Sequence, residues 1–171
     1  GFTLLFQNYF VFENAEKFRR IASERNAFVF VGHSERYNPA IEEFVKSDFF
    51  KEMQDYFKFW FLQKQDASPV SFKFTRTHGF SPRNRDVSVE YDLMIHDMDL
   101  LHFFAGKEAM MYKSFRCEEL SDDRVHAFYD LKTLNAEFIA DRNSASDSRT
   151  VEISMGARSV KLDLGAYRNG N

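Results

Sequence analysis

Val125-His-Ala-Phe-Tyr-Asp-Leu-Lys-Thr-Leu-Asn-Ala-Glu-Phe-Ile-Ala-Asp141 is the stretch on which the fold turns. Val125, Ala127, Tyr129 and Leu131 alternate with polar or larger residues, and Leu134, Ala136, Phe138 and Ala140 do the same. A period of two places each set on one face of a strand. The link between the two runs is short and polar, so the pair is expected to be antiparallel. One face packs on a core. The other carries His126, Phe128, Asp130, Glu137 and Ile139, a partly apolar surface.

The same texture continues outward. Met111–Glu118, Val151–Met155 and Val160–Leu164 read as further strands, and Val70–Thr77 alternates as well. Helical spacing dominates before them. Glu13–Arg25 places Phe18, Ile21 and Ala22 on one face, and Asn26 can end it. Pro39 suits a first helical turn capped by Asn38, and the apolar period runs on to about Trp60. A further helix is expected from about Ser88 to Phe104, stopping at Gly106. Residues 2–6 and 27–33 read as short strands flanking the first helix, a parallel β-α-β opening. The expected fold class is α+β: a short N-terminal β-α-β remnant, then helices packed on one face of an open, mainly antiparallel sheet.

Bulk properties narrow the function. A net charge of -3 and a pI near 6.0 give no electrostatic case for nucleic acid. No apolar run approaches the roughly 20 residues of a membrane helix. Cys117 is the lone cysteine, so no internal disulfide forms and a cytoplasmic location is the expectation. The 21 Phe suit a Phe-heavy core or an aromatic interface.

Chemistry concentrates in Glu90-Tyr-Asp-Leu-Met-Ile-His-Asp-Met-Asp-Leu-Leu101. On a helix, Asp92, His96 and Asp99 fall at i, i+4 and i+7, on one face. An Asp one turn before a His can accept its ring proton and leave the other nitrogen as a base. The bland alternative is a solvated helix face with ordinary i, i+4 charges. A second alternative is a metal site from Asp92, His96, Asp99 and His102, for which no further ligands stand at telling spacing. His33 reads as a packed strand-end residue. Arg76, His78, Arg83 and Arg85 border the loop before the helix, where a solvated role competes with a phosphate contact.

Asp92-Leu-Met-Ile-His-Asp-Met-Asp-Leu-Leu101 with its trailing Gly106 resembles the helix motif of the Gfo/Idh/MocA oxidoreductases. Val31-Gly-His-Ser-Glu-Arg-Tyr-Asn-Pro39 is similar to the segment where that family leaves its last Rossmann strand. Ala136–Asn143, Arg149–Ile153 and Val160–Leu164 look like its sheet strands. The wording is most similar to dehydrogenases acting on sugar nucleotides such as UDP-N-acetylglucosamine.

The resemblance implies hydride transfer between NAD(P) and a sugar carbon, with Asp92 and His96 at the family's catalytic Asp and His. It implies that Arg36 and Asn38 stand where the two domains join near the ligand cleft; His78 and Arg83, from their place at the loop alone, are the further candidates for contact with a sugar or sugar-nucleotide ligand. It further implies residues 1–33 as the end of a Rossmann-like domain, 34–171 as the substrate-binding domain, and a homo-oligomer formed through the open sheet.

Two departures stand against full activity. No Gly-x-Gly-x-x-Gly occurs among the seven glycines, so no cofactor-binding residue is assigned to this chain. The family's Glu-Lys-Pro position falls on Leu5-Phe-Gln7 or Gln7-Asn-Tyr9, and no lysine precedes Lys17. Two functional classes follow: the substrate half of an oxidoreductase without turnover of its own, or a non-catalytic module that self-associates or pairs with a Rossmann-bearing subunit. Gly1 in place of Met suits an added tag, a processed product or a piece of a longer protein.

Overall fold

The computed structural model describes residues 3–6, 12–63, 69–83, 86–109, 112–131 and 133–166. The chain divides into two compact units, Gly1–Ser34 and Glu35–Asn171.

In the first unit, β1 (Thr3–Phe6) and β2 (Phe28–Val31) pair in parallel, in register from Thr3 with Phe28 to Phe6 with Val31. Between them runs α1 (Phe12–Glu24). Asn26 ends this helix in the left-handed region at φ 48°, where Asn is one of the few tolerated side chains. The Ala27 amide reaches back to the Ala22 carbonyl at 2.9 Å and that of Asn26 to Ser23 at 3.3 Å, the hydrogen-bond pair of a Schellman ending.

The second unit opens with a 3-10 turn (Ser34–Tyr37), α2 (Pro39–Phe44) and α3 (Asp48–Gln63). The apolar period suggested one continuous helix to Trp60, but the helix breaks at Val45–Ser47. The reason is local: the Ser47 hydroxyl accepts the Phe50 amide at 3.2 Å and so starts a new helix. There follow β3 (Val70–Thr77), a π-helical turn (Glu90–Met94), α4 (Ile95–Ala109), and β4 (Tyr112–Leu120), β5 (Arg124–Leu131), β6 (Leu134–Asp141), β7 (Ser148–Met155) and β8 (Arg158–Asp163). Gly106 breaks the α4 backbone at φ 68°, as expected of a helix-ending glycine, but a further helical turn reaches Ala109.

The sheet order is β4-β5-β6-β3-β7-β8. This corrects the simple meander: β6 and β7 are sequential but not neighbours, because β3 lies between them. β3 runs parallel to β6 and antiparallel to β7. A strand bearing Val70, Phe72 and Phe74 on one face is best placed centrally, where both edges are hydrogen-bonded.

That inner face meets the helices. Phe104 of α4 stacks on Phe72 with centroids 6.2 Å apart and meets Phe44 of α2 edge-on at 5.4 Å. Phe74 stacks on Phe138 at 5.0 Å. Many of the phenylalanines therefore form the core. The outer face carries His126, Phe128, Asp130, Glu137 and Ile139, each more exposed than its inward neighbours except that Phe128 and Tyr129 are both half-buried. There Glu137 pairs with His126 at 2.9 Å and Lys73 at 3.1 Å, and the Arg116 guanidinium lies 4.0 Å from the Phe128 ring centre. No described helix is long and apolar enough to cross a membrane.

Candidate functional site

The entry to α4 is not α-helical. The Ile95 amide bonds to the Glu90 carbonyl five residues back, which widens the turn holding Asp92. Asp92 there faces Arg142, whose Nη1 stands 3.4 Å from Oδ2. Arg142 is 1% exposed; it also pairs with Asp123 at 3.0 Å and donates to the Asp122 carbonyl. One buried guanidinium thus ties the β4–β5 hairpin and the start of β7's leading loop to the π-turn. Nothing in the helical spacing of 90–101 points to it.

One turn on, Asp97 is buried and accepts from Arg76 at 2.6 Å. Arg76 stands on the inner face of β3, directly across from Arg149 of β7. Both arginines donate to the same oxygen of Glu35, each at 3.0 Å. Arg76 is 2% exposed, so it does not border a solvated loop as its sequence neighbourhood suggested. Burial alone would raise the Glu35 carboxyl, but Arg76 and Arg149 overcome it and the net displacement is downward. Two arginines and two carboxylates therefore form a neutral quartet from four separate segments, buried except at Arg149.

His96, half-buried, lies in the field of this quartet. Burial and then the Arg76 charge hold its imidazole below the usual histidine value, against the opposing pull of Glu35 and Asp97. It is thus biased to the neutral form, which can accept a proton. A lowered folded-state value means that the unfolded chain binds the proton more readily. Stability from His96 is therefore present above about pH 6.5 and is lost as pH falls from there through the folded value. Urea denaturation of the wild type and His96→Gln at pH 7.5 and 5.5 checks this. The wild type should lose more stability on acidification than the variant; equal losses would contradict it.

The other sequence-nominated residues divide. Arg36 grips Asp99 in a two-pronged pair, 2.8 Å from Nε and 2.5 Å from Nη2, and lies 5.2 Å from the Phe103 ring centre. Asn38 caps α2 through the Ala40 amide at 3.1 Å, and its Nδ2 donates to the Leu164 carbonyl at 3.0 Å. It is a joint between α2 and the segment after β8. His78 bonds through Nδ1 to the Gly79 carbonyl at 2.6 Å, which places the proton on that nitrogen. Arg83 is on the exposed loop, where its amide reaches the Ser81 hydroxyl at 3.3 Å. Asp92 is tied to Arg142 and Asp99 to Arg36, while His96 lies in the field of Arg76 and Glu35, the carboxylate that Asn38 also reaches at 3.5 Å; the three stand along the π-turn and α4 with separate partners, and Arg83 stands on the loop. Arg85 lies outside the described residues. Among the described residues no three His, Cys, Asp or Glu side chains gather as metal ligands.

No protein-family model matches the chain. A curated relative, UDP-N-acetylglucosamine 3-dehydrogenase of Acidithiobacillus ferrooxidans, is 27% identical over 110 residues, which are 64% of this chain and 30% of the relative. A solved structure of that dehydrogenase superposes with a TM-score of 0.67 at 25% identity, covering 89% of this chain and 46% of the other. The WlbA dehydrogenase of Thermus thermophilus, solved with NAD and alpha-ketoglutarate, gives 0.62 at 10% identity and shares the fold, covering 94% of this chain and 52% of its own. The chain thus spans about half the length of these solved relatives. The neighbours are dehydrogenases of the Gfo/Idh/MocA type, and the homology falls on their C-terminal region.

Proposed function

We propose that these residues form the substrate-binding half of a Gfo/Idh/MocA-type sugar or sugar-nucleotide oxidoreductase, and that they transfer no hydride by themselves. The observation that carries the reading is the half-buried His96 at the head of α4, in the field of Arg76, Glu35, Asp97 and Arg149, on a fold homologous to the C-terminal region of sugar-nucleotide dehydrogenases. His96 takes or returns a proton at the reacting hydroxyl. Asp92, anchored by Arg142, fixes the negative charge nearby. Arg36 positions α4 through Asp99.

NAD(P) is the cofactor of such relatives, as NAD in the Thermus dehydrogenase illustrates. The residues here do not suit it. A pyrophosphate cradle needs glycines between a strand and a helix N-terminus so that backbone can approach. No Gly-x-Gly-x-x-Gly occurs among the seven glycines of the sequence. The direct experiment is calorimetric titration with UDP-N-acetylglucosamine and, separately, with NADH. Saturable heat with the first alone is the expected result.

A second reading, an assembly module, has its own observation: the mixed outer face of the sheet, with Phe128 and Ile139 among charged residues. Under either reading the chain pairs with its copy through that face, in the cytoplasm. Sedimentation at micromolar concentration should find a dimer or larger species, and a lone monomer would remove this part.

A further inference from the structure

β4 is an edge strand with little packed beneath it. Residues 114–120 are all exposed. Phe115 and Leu120, which stand across from Tyr129 and Val125 and so share their inward face, are still 45% and 65% exposed. A strand with so few buried contacts opens locally at low free energy, and polar ties then decide how firmly it is held.

One such tie crosses the outer face. The pairing of β4 with β5 slips between Cys117 and Glu119, which leaves Glu118 as the extra residue of a bulge. Its Oε2 stands 3.6 Å from Nδ1 of His126 on β5. The other ring nitrogen, Nε2, is 2.9 Å from Oε1 of Glu137 on β6. The half-buried imidazole therefore lies between carboxylates of the two strands that flank its own. The remaining charges around it are already engaged. Arg116 of β4 pairs with Glu118 and lies over the Phe128 ring, which itself stands 4.6 Å from the imidazole. Glu119, across from His126, is paired with Arg124 at 3.2 Å. Lys73 of β3 holds Glu137 from the far side at 3.1 Å.

Hydrogen-bond counting separates the two forms of the ring. A neutral imidazole has one N–H and donates to one carboxylate; the short contact to Glu137 takes it, and a bare lone pair then faces Glu118. An imidazolium has two N–H groups, one for each carboxylate. Burial raises the Glu137 carboxyl, but the hydrogen bonds from His126 and Lys73 overcome it and hold it below the usual value, so that arm stays an acceptor.

We propose that His126 is a proton-operated clasp at the edge of the sheet: its imidazolium ties β4 to β6 across β5 through Glu118 and Glu137, and loss of one proton releases Glu118 and loosens β4. Glu118 then keeps Arg116, which is on its own strand and does not hold β4 to the sheet. Histidine changes charge between about pH 5 and 8, so the clasp closes as pH falls through that range and opens as it rises. The device is independent of hydride chemistry and of the substrate. A partner on the outer face meets a firmer β4 in acid.

Amide hydrogen exchange of the 171-residue chain at pH 5.5 and 7.5, each rate divided by its unstructured-chain value, tests it. Residues 115–120 should be about two- to fivefold better protected at pH 5.5, the scale of a partly exposed ion pair acting on a local opening, while β6 gains nothing. His126→Gln, which takes no charge, and Glu118→Gln should each abolish the gain, with β6 protection at pH 7.5 reporting that each variant is folded. Equal β4 protection at the two pH values in the wild type, or a gain that survives both substitutions, overturns the proposal. Sedimentation of the same samples separates the clasp from pairing of copies: a gain without a change in species size supports it, and a gain found only with a larger species overturns it.

Discussion

Arg76→Met should destabilise the protein by about 3–5 kcal/mol, a large share of the about 5–15 kcal/mol typical of a folded domain. Arg76 is the hub of the quartet: it serves Asp97 with two nitrogens and Glu35 with a third. Its removal leaves Asp97, 3% exposed, as a charge without its cation in the interior. The penalty is thus mostly that of the abandoned carboxylate and not the worth of the pair itself. Burial opposes the charge on Arg76, yet the two carboxylates overcome it and hold the guanidinium more firmly protonated than usual. Adding Asp97→Leu should recover part of the loss, because a matched apolar pair removes the stranded charge. Equilibrium urea unfolding followed by circular dichroism reads all three proteins. A single-variant loss below about 1 kcal/mol would mean that the cluster is solvated, since exposed pairs contribute about that much.

The second large expected effect concerns the cofactor. NADH should show no saturable binding to these residues, and NAD with UDP-N-acetylglucosamine should yield NADH no faster than a protein-free control. Two deficits combine. No Gly-x-Gly-x-x-Gly occurs among the seven glycines to let backbone close on a pyrophosphate. No ammonium is available to polarise the reacting oxygen, because the aligned position holds Phe6 or Asn8, and a positioned group of that kind contributes about 10²–10⁴ in rate. Asn8→Lys should therefore leave turnover undetectable, since it repairs only one of the two. Residues 7–11 lie outside the described residues, so this expectation stands on sequence.

Local periodicity made much of the fold legible. Val70–Thr77 and Leu134–Asp141 have the boundaries their alternation suggests, because a half-buried strand must show period two. The insertion of β3 between β6 and β7 was not legible, since strand order depends on which edges find partners and not on any one segment. The helix break at Ser47 carried a visible signal, a capping residue, but the strong apolar period masked it.

At the site, the spacing of Asp92, His96 and Asp99 assumed 3.6 residues per turn, and the π-turn at Glu90–Met94 changes that geometry. The quartet was missed because its two carboxylates stand 21 and 41 residues from Arg76 and its second arginine farther still. One clue was available. Arg76 is in phase with Phe72 and Phe74, and Arg149 with Val151 and Ile153. An arginine at an inward strand position demands a buried countercharge.

The most direct test of the central claim is paired calorimetry on one preparation of the chain. UDP-N-acetylglucosamine should give a saturable isotherm that His96→Gln or Asp92→Asn weakens, while NADH gives only heat of dilution. A saturable NADH isotherm, or no heat from the sugar nucleotide at any concentration tried, would contradict it.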